Sequence, residues 1–298
     1  MTNDNQVPAL HAEGLGMLFG RTWALRDCAF TLPRGRVAAL VGPNGAGKTT
    51  LLGVAAGLST PSTGRLTVFG EPGRARIHPR AAFVSQRLPL YEQFTVREML
   101  RMAEATNERW SDEQARRVLD AGRISLTAKA RTLSGGERTQ LCLALALGRE
   151  PDLLLLDEPL AGLDPLARED VLRLLMGEVA KREMTILMSS HLISDLHEIC
   201  DYLLLLDGGQ VRLAGDVEDL LTEHRVLIGP AESPVPAGEV VLASRTARQA
   251  TLLVRGGEQS ASDWDVDQLT LQSLVVGYLR ASQQRRRGEL PDLVLPTP

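Results

Sequence analysis

The apolar run Val37 to Val41 leads directly into Gly42-Pro43-Asn44-Gly45-Ala46-Gly47-Lys48-Thr49-Thr50, and a second apolar stretch, Leu51 to Ala56, follows at once. The first run has the length and composition of a buried strand, and the second reads as a helix. A glycine-rich turn between strand and helix lets backbone N–H groups converge on a phosphate chain, with the positive end of the helix behind them. Lys48 can set a charge against the terminal phosphates, and Thr49 can offer its hydroxyl to Mg²⁺. The fold must therefore contain at least one strand–loop–helix unit that binds a nucleoside triphosphate.

The rest of the chain extends that unit. Trp23 to Leu32 reads as a strand closed by Pro33-Arg34-Gly35, Arg65 to Gly70 as a strand after the turn Ser59 to Gly64, and Ala81 to Ser85 as another short strand. The character then turns helical. Thr95-Val96-Arg97-Glu98 and Ser111-Asp112-Glu113-Gln114 are helix-opening capping patterns within an insert spanning about residues 88–134. Helix and strand alternate beyond it. A helix reaches Leu147, Leu153 to Leu156 is a strand, Pro165 to Lys181 a helix and Thr185 to Ser189 a strand. A helix near Ile193 to Ile199 and a strand at Tyr202 to Leu206 follow. Such alternation predicts an α/β fold with a largely parallel sheet covered by helices.

The texture changes again after Leu221. Pro230, Pro234, Pro236 and Gly238 mark a loop, Glu239 to Ser244 and Ala250 to Val254 read as strands, and Val266 to Leu279 as a terminal helix. The predicted organisation is a disordered start over residues 1–8 and a main domain over 9–225. A small α+β accessory region over 226–281 and a disordered tail over 282–298 complete it.

Two further motifs carry chemistry. Leu153-Leu154-Leu155-Leu156-Asp157-Glu158-Pro159 is an apolar strand ending in two carboxylates. Beside a phosphate loop, Asp157 is placed to hold Mg²⁺ and Glu158 to take a proton from an attacking water. Leu133-Ser134-Gly135-Gly136-Glu137 precedes the helix that reaches Leu147. Ser134 and Glu137 suffice as a capping box, yet two successive glycines are costly in a helix and expose its first amides to an anion.

These residues, with Gln86, Ala161-Gly162-Leu163-Asp164 and Ser190-His191, occur in the order and approximate spacing of the ATP-binding-cassette ATPases, and the chain resembles the nucleotide-binding subunit of an ABC transporter over about residues 9–225. The resemblance implies a P-loop ABC ATPase core: a mixed sheet with flanking helices, an antiparallel β subdomain and the inserted helical subdomain. It implies ATP and Mg²⁺ as ligands. It also implies a head-to-tail dimer, or pseudo-dimer, in which Ser134, Gly135 and Gly136 of one copy close over the triphosphate held by Lys48 of the other. By the same resemblance Gln86 contacts Mg²⁺ and water, Asp164 crosses the dimer seam, and His191 bonds the γ-phosphate. Asp164-Pro165 is also an ordinary helix start. Phe19 matches the aromatic that stacks on adenine, with Trp23 as a competing candidate. Glu137 stands where the commonest signature has Gln, and Phe19 where many members have Tyr.

The expected partner is a separate transmembrane permease gripped by the helical insert, which would place the subunit on the cytoplasmic face of the membrane. The apolar runs of this chain are far shorter than the ~20 residues needed to cross a bilayer. The net charge of −4 leaves no basic excess for nucleic acid, and Cys28, Cys142 and Cys200 lack metal-ligand spacing. Tyr91 to Glu98, and an extension ending in a helix, resemble the bacterial drug- and antibiotic-export branch. A soluble assembly- or repair-type cassette ATPase is the alternative, and a nucleotide-binding regulator without turnover is a second. The C-terminal extension is open among a packing module, a dimer contact and a regulatory site.

Overall fold

The computed structural model describes residues 7–288 apart from 74–75, 192, 194–195, 236 and 258–262. The predicted disordered start, as far as residue 6, and the tail beyond 288 thus lie outside the described residues. An antiparallel pair, β1 (Leu10–Phe19) and β2 (Thr22–Leu32), opens the chain. β3 (Val37–Val41) feeds the glycine loop and α1 (Lys48–Ala55), and β4 (Thr63–Val68), β5 (Glu71–Pro72) and β6 (Ala81–Val84) follow. The helical insert contains α2 (Val96–Thr106) and α3 (Asp112–Ala121), and leads into α4 (Gly135–Leu147). Next come β7 (Leu153–Leu156), α5 (Pro165–Lys181), β8 (Thr185–Ser190), β9 (Tyr202–Asp207), β10 (Gln210–Asp216) and α6 (Val217–Glu223). The C-terminal part holds β11 (His224–Pro230), β12 (Glu239–Arg245), β13 (Gln249–Arg255), β14 (Asp265–Asp267) and α7 (Leu271–Arg286).

The central sheet has the order β10-β9-β3-β8-β7-β6, parallel throughout except for the β10 edge. Its strands are continuous apolar runs because both faces are covered. Val37, Ala39 and Val41 of β3, with Leu154 and Leu156 of β7, enter the core shared with α4 and α5. Ala38 and Leu40, with Leu153 and Leu155, enter the opposite core beneath α1 and β1. An antiparallel sheet, β2-β1-β4-β5, closes that second face.

Parallel register decides where the chemistry lies. Val41 pairs with Ser190 at the ends of β3 and β8, Leu156 with Met188 at the ends of β7 and β8, and Val84 with Leu156 at the end of β6. The glycine loop, Asp157-Glu158, Ser189-Ser190-His191 and Gln86 therefore leave the sheet along one carboxyl edge, where open α/β sheets place their ligands.

The structure departs from the sequence reading in several places. β1, β10, β11 and α6 are elements that the sequence does not announce; β1 carries breaks in register between Ala12 and Leu18, which blur its alternation. The helix expected near Ile193 to Ile199 is described only in part: Ile193 is in a 3-10 conformation and Leu196 to Ile199 form turns, while Leu192, Ser194 and Asp195 lie outside the described set. Val266 belongs to the short strand β14, so the terminal helix starts later, at Leu271, capped by Thr270. It also ends later. The disordered tail expected from residue 282 is corrected over Ser282 to Arg286, which form the last turns of α7, with Ser282 buried. That helix sets Leu271, Leu274, Val275, Tyr278 and Ala281 into the same core as α4 and α5, together with Val241 and Leu253 of the C-terminal sheet.

Candidate functional site

The glycines of the loop are set by how closely other backbone passes. A Cβ on Gly42 would stand 2.0 Å from the carbonyl oxygen of Leu206, and one on Gly47 2.5 Å from that of Ala24. Gly47, at φ 106°, is the N-cap of α1 and offers no side-chain cap, and the first turn of α1 holds no acidic residue. The positive helix end is thus left to an outside anion.

Lys48 is 6% exposed. Its Nζ donates to the carbonyls of Gly42 (2.8 Å) and Pro43 (3.4 Å) and stands 3.4 Å from Oε1 of Glu158. Thr49 Oγ1 donates to Oδ1 of Asp157 at 3.2 Å, and Asp157 is itself 2% exposed. Hydroxyl and carboxylate oxygens side by side are the donor set a hard divalent cation such as Mg²⁺ takes.

Glu158 has φ 50°, a left-handed conformation that costs energy for a residue with a Cβ. Ser189 holds it there. Its Oγ accepts from the Glu158 N–H at 2.8 Å and donates to Oδ1 of Asp157 at 2.9 Å, so one hydroxyl fixes both acidic residues. The sequence reading missed Ser189; the available signal was a pair of serines ending an otherwise apolar strand just before His191. His191 Nδ1 donates to Oε2 of Glu158 at 2.8 Å, and because a carboxylate only accepts, that bond fixes the tautomer and leaves Nε2 to face outward. A pocket of about 100 Å³ opens here among Glu158, Gly162, Arg168, Ser189 and His191.

The other candidates stand apart from this cluster. Gln86 is exposed in the turn after β6, while Asp157, next door, donates its N–H to the carbonyl of Val84. Ser134 caps α4: its Oγ accepts from the Glu137 N–H, and the Glu137 carboxylate accepts from the Ser134 N–H. Gly135 and Gly136 lie beside Leu163 and Ala167 at the start of α5, where a Cβ on Gly136 would press Ala167 at 3.1 Å. Asp164 caps α5 through Oδ1, which accepts from the Ala167 N–H. Phe19 is 54% exposed at the tip of the β1–β2 hairpin, while the ring of Trp23, 42% exposed, leans over Gly16. Arg138, in the first turns of α4, grips Glu92 with both Nη atoms and holds its carboxyl below the usual range, which ties the segment after Gln86 to the Ser134 helix. In that segment Tyr91 and Phe94 stack on each other, both exposed.

Known proteins resemble this chain in sequence and in fold. The family model described as "ABC transporter" matches residues 25–161. The "Nod factor export ATP-binding protein I" of Rhizobium johnstonii is 36% identical over 225 residues, covering 72% of this chain and 72% of that protein. A solved structure of an ATP-binding subunit of an ABC transporter superposes with a TM-score of 0.64 at 29% identity, over 72% of this chain and 92% of the other. The ADP conformation of another ATP-binding cassette gives 0.61 at 26% identity, over 71% and 92%.

Proposed function

The chain belongs to the ABC transporter family as an ATP-binding, ATP-hydrolysing subunit, and from that premise we propose that it burns ATP at the seam between two copies to drive export through a separate transmembrane permease. The observation that carries this reading is the contact of Lys48, Glu158 and His191, which follow three separate strands, beside the Thr49–Asp157 pair.

Residues 42–50 cradle the phosphates, and Phe19 stacks on the adenine, a contact worth roughly 1–3 kcal/mol. Lys48 is held by two carbonyls and a carboxylate, acceptors that phosphate oxygens replace when ATP binds. Its departure frees Glu158 to accept a proton from water, with His191 steering the carboxylate and presenting Nε2 to the terminal phosphate. Thr49 and Asp157, with Gln86, would hold Mg²⁺, which would neutralise charge on the phosphates. Ser134, Gly135, Gly136 and Asp164 complete the site of the opposing copy. Binding at both seams then draws the copies together, and hydrolysis releases them.

The direction rests on the relatives named for Nod factor export. The exposed Tyr91–Phe94 stack is the face for the permease, which holds the subunit at the inner side of the membrane. Among the described residues no helix is long and apolar enough to cross a membrane by itself.

Glu158→Gln tests the reading. Phosphate release should fall roughly 10²–10⁴-fold while nucleotide binding persists, and light scattering with ATP should show a stable dimer. Near-normal turnover in this variant would remove Glu158 as the base.

A further inference from the structure

Among the buried carboxylates that the mechanism leaves unused, Asp207 lies closest in sequence to the backbone that packs on the glycine loop. Asp207 ends β9 and is 3% exposed, yet it makes no contact with the Lys48–Glu158–His191 cluster. Its Oδ2 accepts from Ser282 Oγ at 2.5 Å and from Arg286 Nη1 at 2.7 Å, both on the last turns of α7. A buried carboxylate with a hydroxyl and a guanidinium on one oxygen is a charge-assisted clamp.

The clamp sits on the backbone that supports the glycine loop. Gly209, two residues on, donates its N–H to the carbonyl of Ala46 inside the loop at 3.1 Å, and its own carbonyl accepts from the Arg26 N–H at 2.7 Å. Leu206, one residue before Asp207, is the residue whose carbonyl forbids a side chain at Gly42. The β9–β10 turn thus touches the phosphate loop from below and fixes β2, the strand that leads back to the Phe19 hairpin.

We infer that Ser282 and Arg286, by clamping Asp207, are positioning residues for nucleotide binding: the end of the C-terminal helix sets the place of the β9–β10 turn, and through it the loop of residues 42–50. The C-terminal module is then a control element for ATP affinity rather than an appendage. This inference rests on the reading of that loop as the ATP site.

The test uses the full chain, with Arg286→Ala, Ser282→Ala and Arg286→Lys compared with wild type. Two quantities are read: affinity for a fluorescent ATP analogue, and amide hydrogen exchange without nucleotide. In Arg286→Ala the affinity should fall roughly three- to tenfold, a coupling of ordinary size, with kcat within about twofold of wild type. Exchange should quicken in residues 203–212 and also in residues 40–50. Arg286→Lys should restore both readouts in large part, since it keeps a cation within reach of Asp207. Ser282→Ala, a smaller change on a buried face, should move both in the same direction. Faster exchange confined to α7, with affinity unchanged, would overturn the inference. If wild type itself binds no nucleotide, the ATP reading fails, while the exchange of residues 40–50 still reports on the clamp.

Discussion

At the residue scale, one hydroxyl does more than the motifs suggest. Ser189 links the Glu158 amide to the Asp157 carboxylate, so it sets the backbone of the proposed base and the orientation of the proposed cation ligand together. Partners of this kind typically alter activity by about 10- to 100-fold when removed. Ser189→Ala should therefore lower kcat for phosphate release by that factor while KM for ATP stays close to wild type. An equal loss in binding and turnover would show that Ser189 only holds the fold. The thiol of Cys142, on α4 a short way past the Ser134 cap, is an opposite case. Burial pushes it up to about 12, so it contributes packing and no nucleophile.

At the element scale, the helical insert is pinned to the core by a buried polar contact. Gln114 in the first turn of α3 donates Nε2 to Oε2 of Glu178 on α5, and Lys181 supplies a second partner to the same carboxylate at 2.7 Å. The sequence motif around Ser111 predicts a capping box with Gln114. Ser111 does accept from the Gln114 N–H, but the amide side chain reaches across to α5 instead. Gln114→Leu should cost roughly 1–3 kcal/mol, the usual consequence of leaving a buried acceptor short of a donor. Urea unfolding monitored by circular dichroism would measure it, and a change below about 0.5 kcal/mol would mean that Lys181 alone satisfies Glu178.

At the scale of the whole molecule, the C-terminal module joins the ATPase core through a second buried contact. His224 Nδ1 donates to the carbonyl of Leu220 at 2.7 Å, which leaves Nε2 to accept from the Tyr278 hydroxyl at 2.8 Å. One imidazole thus binds α6, β11 and α7 together. Burial above all holds its pKa below the ordinary value; nearby Arg255 adds to this, while the Leu220 carbonyl, Glu223 and Glu239 oppose it. The unfolded chain takes up a proton at about pH 6.5 while the folded protein resists protonation to a lower pH, so this contribution is complete above about pH 6.5 and is lost as pH falls from there to the lower folded value. The melting temperature of wild type should drop more steeply between about pH 7 and about pH 5 than that of His224→Gln. Parallel slopes for the two proteins would exclude this linkage.

What the sequence determined by itself was local. A glycine loop between strand and helix, two carboxylates after a leucine run, and a Ser-Gly-Gly cap are legible because each is a short stretch whose chemistry depends on immediate neighbours. Unbroken apolar runs likewise announce strands covered on both faces. Tertiary structure decided which of these pieces touch. Lys48, Glu158 and His191 meet because β3, β7 and β8 are neighbours in parallel register, and strand order is not written in any one segment. The reach of α7 was hidden for the same reason. Ser282 and Arg286 lie in a polar stretch that reads as a tail, and they gain a reason to be helical only when Asp207, at the end of a distant strand, accepts from both.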